Sequence, residues 1–226
     1  MLVIFDCDGV LADTEIIAAR VDAELLHEAG LEISAEEVAH RYAGLTTERI
    51  FELAGEELGR ALPDSLLARA EEETDRRLEQ EALPIAGAEE MLDRLEWPRC
   101  VCSNSRPERL RVTLEVIGLY DRFRPYVFSA REVGEGRGKP APDVFLHAAA
   151  VMETAPADTI VIEDSVAGVA GAVAAGMRVV GFVGASHTWP GHGEALMDAG
   201  AITVIRRLAD VPATVEALRE WSSDLV

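Results

Sequence analysis

VIFDCDGVLADTE, Val3 to Glu15, sets a short apolar run against two aspartates, Asp6 and Asp8, with Gly9 directly behind them. The run reads as a buried strand, and the two acids stand at its carboxyl end. Two carboxylates about 4 Å apart repel by about 4 kcal/mol at an effective dielectric near 20. The acids could be simple strand-end caps. Which reading holds depends on what the rest of the chain brings to the same place.

Five further β-branched runs follow: Cys100–Ser103, Tyr126–Phe128, Ile160–Glu163, Val179–Val183 and Ile202–Ile205. Each is followed by helical periodicity, so the expected fold is α/β, a mostly parallel sheet covered on both faces. From Thr14 to Leu83 the alternation stops, and only helical patterns occur. PDSLLARAEEETDRRLEQE is expected to be a solvated helix with an apolar edge at Leu66, Leu67, Ala70 and Leu78. ALPIAG then reads as the linker back to the sheet. An inserted helical domain fits this better than a single crossover helix.

In open α/β sheets ligands bind beyond the carboxyl ends of the strands. Four such ends carry chemistry: Asp6 and Asp8 after the first, Ser103 and Asn104 at the second, Lys139 after the third, and Glu163 and Asp164 at the fourth. Singly, each has a plainer reading. Ser-Asn makes turns, a lone lysine is solvated, and Glu163-Asp164 could cap the following helix. Together they place three aspartates around one point, which a divalent cation would make tolerable. Oxygen ligands without His or Cys point to Mg²⁺, which keeps waters and meets phosphate oxygens. Lys139 and the Ser103 hydroxyl would supply donors for an anion beside it, as a phosphoryl group requires.

FDCDGVL, Ser103, GKPAPDVF and EDSVAG, in that order, resemble the four motifs of the haloacid dehalogenase superfamily. The resemblance covers essentially the whole chain. It implies a Rossmann-like core over 1–13 and 85–226, with a small helical cap over 14–84. It implies Asp6 as the nucleophile that becomes an aspartyl phosphate, and Asp8 as the general acid and base. Ser103, the Asn104 amide and Lys139 would hold phosphoryl oxygens. Asp6, the Asp8 carbonyl and Asp164 would hold Mg²⁺, with Glu163 acting directly or through water. Gly44 and Thr47, in the cap stretch GLTTERIF, would touch substrate, although that stretch also reads as a helix start capped by Thr46 or Thr47. Dehalogenating relatives lack an acid at the position of Asp8, so its presence favours phosphate chemistry.

Asp and Glu number 41 against 21 Lys and Arg among 226 residues, a net charge of −20. Such a surface repels nucleic acid and anionic membrane, so neither is an expected partner, and an anionic substrate needs a local cationic site. Cys7, Cys100 and Cys102 read as buried thiols in a reducing compartment. With no leader pattern at the N-terminus, a cytoplasmic location is expected; separately, the chain is expected to be a monomer. Val166 to Ala185 is apolar enough to suggest a membrane span, but Arg178 and its glycines favour a helix followed by a strand. GEGRGK fails the phosphate-loop pattern at Val133 and Pro140. His187 and His192 are expected in a surface loop rather than on zinc.

The expected activity is that of a phosphoric monoester hydrolase acting on a small phosphorylated metabolite, a sugar or sugar-acid phosphate as in 6-phosphogluconate phosphatases. A β-phosphoglucomutase-like isomerase is the first alternative. Ala18 and Ala43 stand against it, because the mutase-like pattern carries His and Lys there. A non-catalytic binding module is the second alternative.

Overall fold

The computed structural model describes residues 1–42 and 45–223. All six expected strands occur: β1 (Leu2–Phe5), β2 (Arg99–Ser103), β3 (Val127–Ser129), β4 (Thr159–Glu163), β5 (Arg178–Phe182) and β6 (Thr203–Ile205). β1 ends directly before Asp6, as expected, and the others shift by one residue at one or both ends. Four helices follow β1: α1 (Glu15–Glu28), α2 (Ala35–Arg41), α3 (Thr47–Glu57) and α4 (Asp64–Glu81). The remainder alternate with strands: α5 (Ala88–Arg94), α6 (Pro107–Val116), α7 (Tyr120–Phe123), α8 (Asp143–Val151), α9 (Val166–Ala174), α10 (His192–Asp198) and α11 (Val211–Ser223).

The strands form one parallel sheet in the order β3-β2-β1-β4-β5-β6. Successive side chains of a strand point to opposite faces, so each face collects alternate residues. Val3, Phe5, Val101, Ile160, Ile162, Val180 and Phe182 pack with residues of α5, α6 and α11. Leu2, Ile4, Cys100, Cys102, Val161 and Val179 pack with residues of α8, α9 and α10. Both faces are therefore dry, which is why these strands read as continuous apolar runs. All three cysteines are free and buried. The apolar stretch Val166 to Ala185 resolves into α9 and β5, and no helix among the described residues is long and apolar enough to cross a membrane.

The insertion has a core of its own. Val21, Leu25 and Leu26 of α1 meet Val38 of α2, Ile50 and Phe51 of α3, and Leu66 and Ala70 of α4. α4 buries Leu66, Ala70, Thr74 and Leu78, one residue per helical turn, so its apolar edge lies where the period places it; Leu67 stays half-buried. The helix begins at Asp64 behind Pro63. α2 starts with a full capping box between Ser34 and Glu37. Thr46, rather than Thr47, caps α3 by accepting from the Arg49 amide. The chain leaves and re-enters the sheet side by side, with Asp13 N donating to Leu83 O and Ile85 N to Leu11 O, each at 2.9 Å. These paired crossings seat the helical cap over the carboxyl end of β1.

In this strand order the direction of winding reverses between β1 and β4. A crevice opens where crossovers diverge, so ligands are expected just beyond those two strand ends. Asp6 and Asp8 follow one, and Glu163 and Asp164 close the other.

Candidate active site

Asp6 extends the pairing of β1 by one residue, its amide donating to Ile162 O at 3.0 Å. That bond fixes its backbone against β4. The turn beyond it is tight, with the Leu11 and Ala12 amides both donating to Cys7 O at 2.9 Å. Gly9 takes φ +84°, and a Cβ there would lie 2.0 Å from Asp164 Oδ2. Only glycine allows this turn to lie directly against Asp164. Gly9→Ala is expected to displace Asp164 and lower kcat by about 10²-fold, as small misplacements of reacting groups do. Steady-state rates would check this, and an unchanged kcat would show that the contact does not matter.

Lys139 reaches in from the loop between β3 and α8. Its Nζ donates to Asp6 Oδ1 at 2.5 Å, Glu163 Oε1 at 2.7 Å and the Cys102 carbonyl at 2.8 Å. All three ammonium protons are thus used, and the residue is only 8% exposed. Burial by itself would push Lys139 down, but Asp6 and Glu163 outweigh it and hold the ammonium above the ordinary lysine range. Asn104 fixes the lysine backbone, its Oδ1 accepting from Lys139 N at 2.7 Å. Glu163 is fully buried, and its second oxygen accepts from Ser165 N at 2.8 Å and Ser165 Oγ at 3.0 Å. Ser165, not Glu163 or Asp164, caps α9.

One buried ammonium faces Asp6, Glu163 and Asp164, with Asp8 beside them. Burial raises Asp6 well above the usual carboxylate range; Lys139 opposes the shift, while Glu163, Asp164 and Asp8 add to it. Asp164 is raised by burial and then by Glu163. The cluster is short of positive charge, and this is the condition that favours a bound cation. Among the described residues no three His, Cys, Asp or Glu side chains form a ready-made metal cage. The donor set fits a hard cation that takes few protein oxygens, adds a backbone carbonyl and keeps its waters, which is the habit of Mg²⁺.

Asp8 is held differently. Thr14 Oγ1 donates to its Oδ1 at 2.8 Å, and Ser105 Oγ and Ser103 Oγ donate to its Oδ2 at 2.7 and 3.2 Å. Ser103, expected on a phosphoryl oxygen, thus rests on Asp8 here, and its oxygen also accepts from the Ser105 amide at 3.0 Å. Three hydroxyls, one from the start of α1 and two at or just beyond the end of β2, fix the orientation of this carboxyl.

Asp6, Asp8, Ser103, Asn104, Lys139 and Asp164 all line a cavity of about 300 Å³ between sheet and cap, within the size range of small-ligand sites. Thr47 lines its cap side as the first residue of α3. Gly44, with Ala43, lies outside the described residues. His187 and His192 correct the surface-loop expectation. His192 is 1% exposed and its Nε2 donates to the Asp164 carbonyl at 2.6 Å. His187 Nε2 lies 3.0 Å from Asp164 Oδ2. Burial pushes His192 down to about 4, the Asp164 carbonyl opposing, and burial likewise lowers His187. Trp189 stacks on His192 at 3.6 Å, and its ring centre lies 6.2 Å from that of His40 of α2. The signal was available, because this loop follows the carboxyl end of β5, a fifth strand end beside the four that carry Asp6, Ser103, Lys139 and Asp164.

Further residues invisible to periodicity come from the seam between cap and core. Arg106 Nη2, from the residue before α6, and Arg109 Nε of α6 share the two oxygens of Asp75 of α4, at 2.6 and 2.5 Å. Asp22 of α1 lines the cavity at 3% exposure; burial pushes its carboxyl up to about 7, with Arg109 pulling the other way.

The arrangement has counterparts. The 6-phosphogluconate phosphatase of Escherichia coli (strain K12) is 31% identical over 189 residues, 83% of this chain and 85% of that one. A haloacid dehalogenase-like protein of Agrobacterium tumefaciens str. C58 superposes with a TM-score of 0.92 at 50% identity, covering 96% of this chain and 98% of that one. A hydrolase from Deinococcus radiodurans R1, solved with bound phosphate and sodium, gives 0.81 at 32% identity over 95% and 94% of the two chains. Residues 1–176 match the haloacid dehalogenase-like hydrolase family. With two acids at the end of β1, a buried lysine between them and β4, and a four-helix insertion overhead, the chain belongs to that hydrolase family, in the capped branch of phosphatases and β-phosphoglucomutase-like enzymes.

Proposed function

We propose that the protein is a Mg²⁺-dependent phosphatase that hydrolyses a small phosphorylated metabolite, a sugar or sugar-acid phosphate, through an aspartyl phosphate on Asp6. The observation that carries this reading is the pairing of Asp6, tied to Lys139, with Asp8, tied to three hydroxyls, on one cavity wall. A carboxylate and a second, separately oriented carboxyl are what attack and proton transfer need. A phosphatase relative and a phosphate-bearing neighbour support the same chemistry.

In the proposed reaction an Asp6 oxygen bonds to phosphorus as the ester P–O bond breaks, and Asp8 gives its proton to the departing alkoxide oxygen. Asp8 then takes a proton from the water that attacks phosphorus, the Asp6–phosphorus bond breaks, and inorganic phosphate leaves. Lys139 keeps Asp6 in place and neutralises phosphoryl charge. Glu163, whose oxygens engage Lys139 and Ser165, serves the site by positioning that lysine rather than as a direct cation ligand. Asp6, the Asp8 carbonyl and Asp164 would hold Mg²⁺, which when bound stabilises charge on the phosphoryl oxygens. The proposed core is 1–13 and 85–226, and the cap 14–84.

Phosphate release from p-nitrophenyl phosphate and from a panel of sugar and sugar-acid phosphates tests the reading. Chelation should abolish release, Mg²⁺ should restore it, and Ca²⁺ should restore it poorly because it prefers more ligands at longer distances. Activity undiminished by excess chelator would refute the cation assignment. With β-glucose 1-phosphate and a trace of bisphosphate, free phosphate should exceed glucose 6-phosphate. The cavity wall carries Ala18 where the mutase pattern has a histidine, so no side chain at that position holds Asp8 back from activating water.

A further inference from the structure

Glu15, Ala18, Ala19 and Asp22 share one face of α1, and this face lines the cavity. The helix starts at the reacting end, where Thr14 bonds Asp8. At 1.5 Å per residue, Asp22 stands about 10 Å further along than Glu15. It is 3% exposed, and its Oδ1 has no hydrogen-bond partner among the described residues. A buried carboxyl oxygen without a partner is costly, and such groups call for an explanation. Nothing in the proposed chemistry uses this one.

The neighbours of Asp22 narrow what could satisfy it. Arg109 and Arg106 stand on the same cavity wall, but Asp75 already takes a donor from each, and the Glu71 carbonyl takes another from Arg109 at 3.4 Å. Asp75 matches one of the two guanidinium charges and Asp22, within reach of the charge on Arg109, matches the other, so the cluster is balanced before any ligand arrives. A substrate carboxylate placed here would meet Asp22 as a like charge. A hydroxyl both donates and accepts, so it pairs with the Asp22 carboxyl in either protonation state.

Resting on the phosphatase reading above, we infer that Asp22 is a specificity-determining residue that hydrogen-bonds a hydroxyl at the end of the substrate remote from phosphorus. The substrate class is then a neutral polyhydroxylated monophosphate of five or six carbons, rather than a triose phosphate or a substrate with a terminal carboxylate. Glu15 to Asp22 sets the reach, and the α1 face between them, Ala18 and Ala19, is small enough to leave room for the carbon chain.

Initial rates on glycerol 3-phosphate, erythritol 4-phosphate, ribitol 5-phosphate and glucitol 6-phosphate test this, with p-nitrophenyl phosphate and 6-phosphogluconate alongside. In the wild type kcat/KM should step up at least about tenfold between the four-carbon and the longer polyols, the loss expected when a buried hydrogen bond goes unmade. Glucitol 6-phosphate should exceed 6-phosphogluconate. Asp22→Ala should flatten the step, and Asp22→Asn, which keeps the shape and a hydrogen-bonding oxygen, should retain part of it. The asparagine variant also serves if the alanine variant does not fold. A flat series in the wild type, a step that survives Asp22→Ala, or a tenfold preference for 6-phosphogluconate overturns the assignment while leaving the phosphatase reading intact. Release of phosphate from none of these compounds, the aryl phosphate included, overturns both.

Discussion

Asp6→Asn is expected to lower turnover by at least about a thousandfold, on the order of 4 kcal/mol of lost transition-state stabilisation. The amide cannot attack phosphorus, and no other side chain shares its position at the end of β1 against β4. Stability should not fall with activity. Asp6 is one of several carboxylates around a single ammonium, and burial together with its acidic neighbours raises it despite Lys139. Removing its charge therefore relieves repulsion, and the variant should unfold at or above the wild-type temperature. Single-turnover rates and thermal unfolding on one preparation separate the two effects. A variant that keeps a tenth of wild-type turnover would remove Asp6 from the nucleophile's role.

Lys139→Met tests the opposite charge, and its largest effect should be on the fold. The ammonium is the shared partner of Asp6 and Glu163, both nearly or fully buried. Deleting one member of a buried ion pair strands the remainder, at a cost of about 3–5 kcal/mol. For a chain of this size that lowers the unfolding temperature by roughly 6–20 °C. Adding Glu163→Gln should return part of the loss, because it neutralises one stranded carboxylate and keeps an acceptor for Ser165. The double-mutant cycle, run in chelator, reads this coupling directly. Equal unfolding temperatures for Lys139→Met and the wild type would show that the lysine is not the keystone of the cluster. Turnover should be lost in both variants.

Much of the fold was legible before any coordinates. β1 to β6 lie within a residue of where β-branched runs place them, because strands buried on both faces must be apolar along their whole length. The helical insertion was legible as a broken alternation, and the α4 edge at Leu66, Ala70 and Leu78 followed from the helical period. Asp6, Asp8, Ser103, Lys139 and Asp164 were singled out because each falls at or beyond the end of a strand, and parallel strands bring those ends to one edge of the sheet.

What the sequence could not determine is which of these groups hold one another. Glu163 and Asp164 are adjacent in the chain, yet one turns to Lys139 and Ser165 while the other faces Gly9 and His187. Ser103 lies against Asp8 because β2, in register with Val101 opposite Phe5, runs two residues past the end of β1 and so reaches the turn that carries Asp8. His187 and His192 read as solvated because glycines and a proline surround them, and only the docking of their loop on Asp164 buries them. Asp22, Asp75 and Arg109 come from three separate helices, and they meet because the cap seats on α6. By itself the sequence determined where the strands run, where the chain leaves the sheet and which acids stand at the strand ends, since period and polarity are local properties. The tertiary structure alone decided the partners of each charge and the wall that faces the substrate, since those depend on how two separately cored units meet across a cavity.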